Sequence, residues 1–264
     1  MDTTTVMSTP LELDVKALEH KVKEMYRAVA ENPDEKYHFE MGRVMAERLG
    51  YPASRLDNVP APAIDSFAGV GYYFHFADLQ PGERVVDLGS GSGMDTFFAS
   101  LCVGEQGRVV GIDMTDAQRH KAETLRKAAG FDNITYLKGY IQAAPCEDAT
   151  FDAVISNGVI NLAPDKQKVF REVSRLLRSG GRLALADIVT ATHLPSGITC
   201  NSDLWAACIG GAMQIDDYLQ AIESVGLSVE KVQENNEYRF LSDSAQGATR
   251  KYGVKSISVL ARKP

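Results

Sequence analysis

The sequence predicts an α/β protein built on a doubly wound, Rossmann-like sheet, and three observations carry this prediction. From residue 82 onward, short β-rich runs alternate with helical stretches, a pattern typical of a parallel sheet covered by helices on both faces. The first run ends in the glycine-rich segment LGSGSG, as in sheets that bind nucleotides beyond the carboxyl ends of their strands. The 264 residues are also enough for one large domain.

The individual elements follow from local patterns. Apolar residues recur at helical spacing over 14–30, with Asp14 as the predicted N-cap, and a second helix within 31–50 is expected to end at Gly50. Strands are predicted at 84–88, 108–113, 134–138, 151–156 and 181–187, and helices around 95–103, 115–129 and 165–178. A final pair of strands, 227–233 and 256–262, would complete a seven-stranded sheet with an antiparallel edge.

Two stretches do not fit the alternation. Residues 188–220 interrupt it and are predicted to form a helical cap insertion, while the segment RFLSDSAQGATRKYG at 239–253 is too polar for core. The predicted division is therefore an N-terminal helical part with its connector at 1–64, followed by the sheet domain at 65–264.

Composition limits the classes of partner. The net charge of −7 and pI near 5.3, with scattered basic residues, argue against nucleic-acid binding. No run approaches about 18 apolar residues, so no membrane span is expected. Four dispersed cysteines predict neither a disulfide scaffold nor a metal site, and MDTTTVMSTP lacks the pattern of a signal peptide. A cytoplasmic location is expected, and the oligomeric state is not indicated.

The glycine loop predicts the kind of ligand. Gly89, Gly91 and Gly93 lie between a strand and a helix, where a ligand can approach the backbone closely. Asp113 ends the next strand, twenty residues after Gly93, and is placed for a ribose diol. Asp87 precedes the loop, where it would repel a pyrophosphate but attract a cationic amino-acid end. Together with the G-x-G-x-G spacing, this favours S-adenosylmethionine over NAD.

The chain resembles the class I S-adenosylmethionine-dependent methyltransferases, and more narrowly the arsenite methyltransferase group. The resemblance rests on VVDLGSGSGMD, GRVVGIDMTDAQ, FDAVISNGVINLAPDK, RLLRSGGRLALADIV and WAACIGGAM. It implies a helical lid at the N-terminus, to which Tyr26 would belong. It also implies the cofactor-binding residues: Asp87, Gly89, Gly91 and Gly93 at the methionine end, Asp113 at the ribose, Ile141 near the adenine, and Ser156 and Asn157 at the methyl group. Ser90, within the glycine loop, is a further predicted cofactor residue, and Met114, directly after Asp113, would flank the adenine. For Met114, which follows the ribose acid, a core role is equally open.

The chain departs from this resemblance at the thiols that hold trivalent arsenic. Where arsenite methyltransferases have GCG, this chain has Val70 between two glycines, and where they have SNC it has Gly158. Cys208 keeps the third thiol. A single thiol does not form a multidentate site for a soft ion, which disfavours arsenite as the acceptor.

The acceptor site is predicted from aromatic residues. Tyr72, Tyr73 and Trp205 are expected to wall a largely apolar pocket, and His75 is a candidate general base or a structural histidine. The preferred acceptor is a small molecule, with a thiol or other soft nucleophile favoured because few acid–base residues are evident. The alternatives are metalloid methylation, C-, N- or O-methylation of a natural product, a non-catalytic cofactor-binding module, and an NAD-dependent oxidoreductase.

Overall fold

The central sheet follows the predicted doubly wound plan. A computed structural model describes residues 13–201, 205 and 209–264. Its strands run in sheet order β3-β2-β1-β4-β5-β8-β7, with β6 paired to β5. Strand β8 runs antiparallel to β5 and to β7, and the other paired strands are parallel. The strands are β1 Arg84–Leu88, β2 Arg108–Asp113, β3 Ile134–Lys138, β4 Phe151–Asn157, β5 Leu177–Thr190, β6 Met213–Gln214, β7 Ser228–Glu234 and β8 Lys255–Arg262. The predicted fold class is confirmed, with β6 added as a short eighth strand.

Helices cover both faces of this sheet, and further helices precede its first strand in the chain. Helix α1 begins as predicted, since the Asp14 side chain accepts a hydrogen bond from the Ala17 N–H (3.0 Å). Among the described residues, no helix is long and apolar enough to cross a bilayer. The helices are α1 Val15–Glu31, α2 Arg43–Leu49, α3 Ala53–Leu56, α4 Ala61–Asp65, α5 Phe74–Ala77, α6 Met94–Val103, α7 Asp116–Ala129, α8 Lys166–Leu176, α9 Ser196–Thr199, α10 Ile215–Glu223 and α11 Asp243–Tyr252.

The predicted cap insertion at 188–220 is too long at both ends. Strand β5 continues to Thr190, and α10 is an ordinary crossover helix that packs against α8 and β7. Tyr218 and Ile222 are buried on its inner face. The interruption of the alternation is therefore limited to 191–212, because the apolar spacing from 215 onward already belongs to the sheet domain. The boundary at 64/65 stays a prediction.

The polar segment 239–253 also contributes to the core, contrary to expectation. It contains α11, whose N-cap Ser242 accepts a hydrogen bond from the Ala245 N–H (3.2 Å). Ala245 and Ala248 are buried. Small side chains on one helical face are enough to pack against the sheet, even when polar residues dominate the sequence around them.

A buried charged cluster joins the loop after β4 to the residues of the interruption. Lys166 Nζ donates to the Ala163 and Asn161 carbonyl oxygens (3.0 and 3.2 Å) and lies 4.8 Å from the centre of the Trp205 ring. Burial lowers the pKa of Lys166 to about 8 and raises that of Asp187 to about 6. Tyr218 Oη donates to Asp187 Oδ2 (2.8 Å). Losing one donor from a buried network of this kind lowers the free energy of unfolding.

Replacing Tyr218 with phenylalanine is expected to lower the free energy of unfolding by about 1–3 kcal/mol, because the buried Asp187 carboxylate loses a donor. Urea denaturation at neutral pH measures the change. Tyr252→Phe is the matched control, since Tyr252 is only partly buried and no hydrogen bond of its hydroxyl is part of a buried network in the described chain. Equal losses in the two variants would contradict the importance of the Tyr218 hydrogen bond.

Candidate active site

A cavity lies beyond the carboxyl ends of β1, β2, β3 and β4. Because these strands are parallel, the loops that follow them converge at one edge of the sheet. Helix α1 covers the cavity from the other side, with Val15, Leu18, Val22 and Tyr26 in its lining. The helix that the sequence predicts as a lid thus turns these side chains toward the cavity.

The glycine loop forms one wall of the cavity. Gly89, Gly91 and Gly93 all line it and all have positive φ. At Gly93 (φ +97°) an added Cβ atom would meet Tyr136 Oη at 2.2 Å. The alternating glycines are thus required by the backbone conformation, and at Gly93 also by the space available.

Asp113 is fixed at the end of β2 against this loop. Its Oδ2 accepts a hydrogen bond from the Gly91 N–H (2.9 Å), and its Oδ1 accepts one from the Thr115 N–H (2.7 Å). Burial raises the pKa of Asp113, an effect that these two backbone donors oppose. Since each carboxylate oxygen accepts about two hydrogen bonds, both oxygens retain accepting capacity toward the cavity.

Asp87 lies in the same wall and is 2% exposed. Thr96 Oγ1 donates to its Oδ2 (2.6 Å). Burial, and then the charge of Asp95, raises the pKa of Asp87 well above its usual value. The carboxylate is therefore held where ionisation is unfavourable unless a positive charge comes close.

Asp95 is a functional candidate that the sequence alone did not single out. It lies in the first turn of α6 and lines the cavity. Its carboxylate accepts hydrogen bonds from Tyr51 Oη (2.6 Å), Tyr73 Oη (2.9 Å) and Asn157 Nδ2 (2.9 Å). Asn157 is itself held by the Val70 N–H, which donates to its Oδ1 (2.8 Å). Burial raises the pKa of Asp95, opposed by the three hydrogen bonds. The signal in the sequence was an acid directly after the glycine loop.

The charged side chains in the described lining of the cavity are all acidic. Four carboxylates, those of Glu19, Asp87, Asp95 and Asp113, contribute to it, and its described residues include no Lys, Arg or His. Buried carboxylates of this kind are stabilised by a cation. The site therefore suits a positively charged ligand and disfavours a pyrophosphate.

Nearly all of the predicted cofactor residues line this cavity. Ser90, Met114 and Ile141 belong to the lining together with the glycines and aspartates, as does Asn157. Ser156 is the exception, because it is buried and its Oγ donates to the Leu88 carbonyl oxygen (2.9 Å), which ties β4 to β1. Its predicted place beside the methyl group is corrected accordingly. Further lining residues in the loops and on α7 had no evident signal in the sequence: Gln118, Tyr140, Gln142, Val159 and Pro164.

The four predicted aromatic and histidine residues of the acceptor pocket lie outside the lining. Tyr73 is fully buried and contributes only through its hydrogen bond to Asp95. Tyr72 packs on Tyr51 (ring centres 4.8 Å apart) and stacks on His75, which is exposed. Trp205 is buried, with its Nε1 donating to the Thr199 carbonyl oxygen (2.6 Å). The aromatic run is used for packing, so the predicted acceptor wall is corrected.

Two of the three positions that match the arsenic-binding thiols, Val70 and Gly158, are close together in space. A Cβ atom added at Gly158 would lie 3.1 Å from Val70 Cγ1. Cys208 lies outside the described residues. Cys102, Cys146 and Cys200 are half-buried and none of them lines the cavity. In the described chain, no group of three or more His, Cys, Asp or Glu side chains is arranged to hold a metal ion.

Comparison with known proteins identifies the family. The family model described as a methyltransferase domain matches residues 79–241. The chain belongs to this methyltransferase family. An arsenite methyltransferase of Halobacterium salinarum is 38% identical over 222 residues, 83% of this chain and 56% of that protein. An arsenite methyltransferase of Mus musculus is 41% identical over 152 residues, 54% of this chain and 40% of that protein.

Solved structures agree with this assignment. CrArsM, an arsenic (III) S-adenosylmethionine methyltransferase from Chlamydomonas reinhardtii, superposes with a TM-score of 0.62 at 29% identity, over 84% of this chain and 73% of that chain. A geranyl diphosphate methyltransferase in complex with GPP and sinefungin shares the fold at 18% identity, with a TM-score of 0.66 over 94% of this chain and 100% of that chain. The predicted class I methyltransferase family is confirmed, and the methyltransferase chain spans about half the length of the curated relatives it matches.

Proposed function

We propose that this methyltransferase binds S-adenosylmethionine in the cavity and transfers its methyl group to a small-molecule acceptor. The observation that carries the proposal is the Asp113 carboxylate, held by the Gly91 N–H against the glycine loop in a cavity whose described lining has no basic side chain. The family assignment and the structural likeness to CrArsM support the same cofactor. The cytoplasm stays the proposed location.

The residues present fit S-adenosylmethionine. Asp113 offers two carboxylate oxygens to the ribose hydroxyls, and Met114 and Ile141 are apolar residues of the same lining. Asp87 offers a buried negative charge to the amino-acid end. Ser90, which lines the cavity, has a buried hydroxyl oxygen without a hydrogen-bond partner. A buried polar atom of this kind is ordinarily satisfied by water or a ligand.

The chain's own contribution is binding, orientation and exclusion of water. S-adenosylmethionine supplies a methyl group on a positively charged sulfonium, which an acceptor can attack in line. Helix α1 covers the cavity with apolar side chains, and the carboxylates provide a fixed negative field around the bound cation. Holding the two reactants in a near-attack geometry supplies much of the rate for such a displacement.

Arsenite is the second candidate acceptor, and the identities with arsenite methyltransferases favour it. The residues at the matching positions oppose it, because neither Val70 nor Gly158 offers a thiol. The expected acceptor is instead an organic small molecule, for which a thiol or another soft nucleophile, or a C-, N- or O-nucleophile, stays a proposal.

Calorimetric titration with S-adenosylmethionine and, separately, with NAD tests the cofactor. We expect micromolar-range binding of the first and none of the second. Transfer of labelled methyl groups to arsenite, thiols, amines and phenols then tests the acceptor. Absence of S-adenosylmethionine binding contradicts the proposal, whereas binding without transfer to any acceptor favours a non-catalytic module.

Binding of S-adenosylmethionine is expected to weaken as the pH is lowered from neutral to acidic values. In the free protein, burial raises the pKa values of Asp87 and Asp113, so acidification protonates them. S-adenosylmethionine is a cation and binds the ionised form of the carboxylates. Each carboxyl group that has to lose its proton before binding lowers the affinity by up to about tenfold per pH unit. Titrations across this range measure the slope. Asp87→Asn removes one titrating group and should flatten the slope; an affinity that rises on acidification would refute this linkage.

A further inference from the structure

The mouth of the cavity lies beside the first turns of α1. In the described lining, Val15 of α1 and Tyr140 of the loop after β3 are 47% and 40% exposed, and Pro164 of the loop after β4 is also exposed. Leu18 and Val22, which follow on the inner face of α1, are buried. A ligand that reaches the glycine loop therefore passes between the N-terminal half of α1 and these two loops.

The C-terminal half of α1 is fixed to the sheet domain through its backbone. Gln118 Nε2 donates a hydrogen bond to the Tyr26 carbonyl oxygen (2.8 Å). Lys121 Nζ donates one to the Ala30 carbonyl oxygen (2.9 Å). Both donors lie on α7, and Gln118 is buried. Hydrogen bonds that are shielded from water are costly to break, so this end of α1 stays in place.

The N-terminal half of α1 is held across the mouth by a side-chain cluster at the surface. Tyr140 Oη donates to Glu19 Oε1 (2.7 Å) and accepts a hydrogen bond from Lys23 Nζ (3.1 Å). Lys23 and Glu19 also form an ion pair with each other along the helix, and both side chains are partly exposed. Contacts that water can reach contribute less than buried ones, so these three residues, the latch, can separate and re-form.

The shape of α1 converts a small movement at its fixed end into a larger one at the mouth. Residues 15–31 include no glycine or proline, so the sequence provides no kink within the helix. Glu19 lies about 16 Å along the axis from Ala30, at about 1.5 Å per residue. Lifting the first turns separates the latch and exposes Leu18 and Val22 to water. Burial of these two apolar side chains keeps the closed form predominant.

We propose that the latch controls how fast S-adenosylmethionine enters and leaves the cavity, an inference that rests on the proposed function. The contacts of the latch join protein atoms only, so they stabilise the closed form to the same extent with the cofactor bound or absent. Weakening the latch therefore raises the open fraction of both forms by one factor, and the association and dissociation rate constants rise together. A residue that binds the cofactor directly changes the dissociation constant instead.

Tyr140→Phe in the whole chain is the direct test, because it removes the hydroxyl, keeps an aromatic ring in the lining and leaves Glu19 and Lys23 paired with each other. Surface plasmon resonance with S-adenosylmethionine measures both rate constants. We expect each to rise about two- to tenfold, as for the loss of exposed hydrogen bonds, while the dissociation constant changes by less than about twofold. A change confined to one rate constant, or no change in either, overturns the proposal.

Tyr37→Phe is the matched control. Tyr37 Oη donates to the Asn32 carbonyl oxygen (3.0 Å) beyond the fixed end of α1, and Tyr37 does not belong to the described lining. This variant loses one hydroxyl hydrogen bond near the same helix but away from the mouth, so both rate constants should stay within about twofold of the parent values. A rise equal to that in Tyr140→Phe would mean a general loosening of the N-terminal part and would overturn the proposal.

Thiol labelling measures the open form in the absence of any cofactor. Leu18 is 2% exposed, so the thiol of Leu18→Cys reacts with iodoacetamide when α1 lifts. Mass spectrometry of the peptide that contains position 18 separates this reaction from that of the native cysteines. Adding Tyr140→Phe should speed the labelling by about two- to tenfold, and an unchanged rate overturns the proposal. Failure of the proposed function would appear separately, as absent binding of S-adenosylmethionine, and the labelling rate then tests the latch by itself.

Discussion

Replacing Asp113 with asparagine is expected to weaken binding of S-adenosylmethionine by about 100-fold or more. The carboxylate offers two charged acceptors to the ribose diol, and hydrogen bonds to charged groups are worth about 1.5–3 kcal/mol each. An amide keeps one acceptor but presents a donor in place of the other. It also disturbs one of the two contacts, with the Gly91 and Thr115 N–H groups, that hold the loop. Calorimetric titration at neutral pH measures the dissociation constant.

Asp116→Asn is the matched control for this effect. Asp116 lies three residues further on, its side chain is 64% exposed, and its ion pairs among the described residues are with Arg119 and Lys138 at the surface. Exposed pairs of this kind contribute little, so the variant should bind S-adenosylmethionine as the parent does. Comparable losses in the two variants would show that a general loss of negative charge, rather than the placement of Asp113, weakens binding.

Replacing Gly93 with alanine is expected to lower the free energy of unfolding by about 2–5 kcal/mol and to abolish measurable cofactor binding. A left-handed conformation costs an alanine about 1–2 kcal/mol, and forcing a methyl group into a packed site adds about 1–3 kcal/mol. The new Cβ atom would meet the Tyr136 hydroxyl, so either the ring or the loop has to move. Urea denaturation and calorimetric titration measure the two effects.

Gly82→Ala separates the steric effect from the conformational one. Gly82 has a similar φ of +88°, but an added Cβ atom meets no other atom within 4 Å. This variant should lose only about 1–2 kcal/mol and keep its affinity for S-adenosylmethionine. Equal destabilisation in the two variants would mean that the contact with Tyr136 is relieved without cost.

The cofactor side of the site could be predicted from the sequence because its residues are local to strand ends. Gly89 to Gly93 follow one strand and Asp113 ends the next, so the parallel sheet brings them together without further information. The network around Asp95 has no such local signature. Tyr51, Tyr73 and Asn157 come from separate segments, and only the packing of these segments places their polar atoms on one carboxylate.

Apolar and aromatic residues were harder to assign for a related reason. An aromatic run such as 72–76 has the same composition whether it walls a pocket or fills a core, and here the rings pack on each other and on Phe98. The alanines of α11 were missed because small buried side chains hardly affect the hydrophobicity of a polar segment. In both cases the environment, and not the residue type, decides the role.

The hydrogen bond between Tyr51 and Asp95 has a consequence for how the molecule comes apart. It joins the residues that precede the sheet to the helix that follows β1, and the Tyr26 and Ala30 carbonyl oxygens accept hydrogen bonds from Gln118 and Lys121 of α7. Separating the N-terminal helices from the sheet would leave a buried carboxylate and two buried tyrosine hydroxyls short of partners, so the two parts lose their structure together. The helices that cover the cavity are thus bound into one cooperative folding unit with the strands that form its floor.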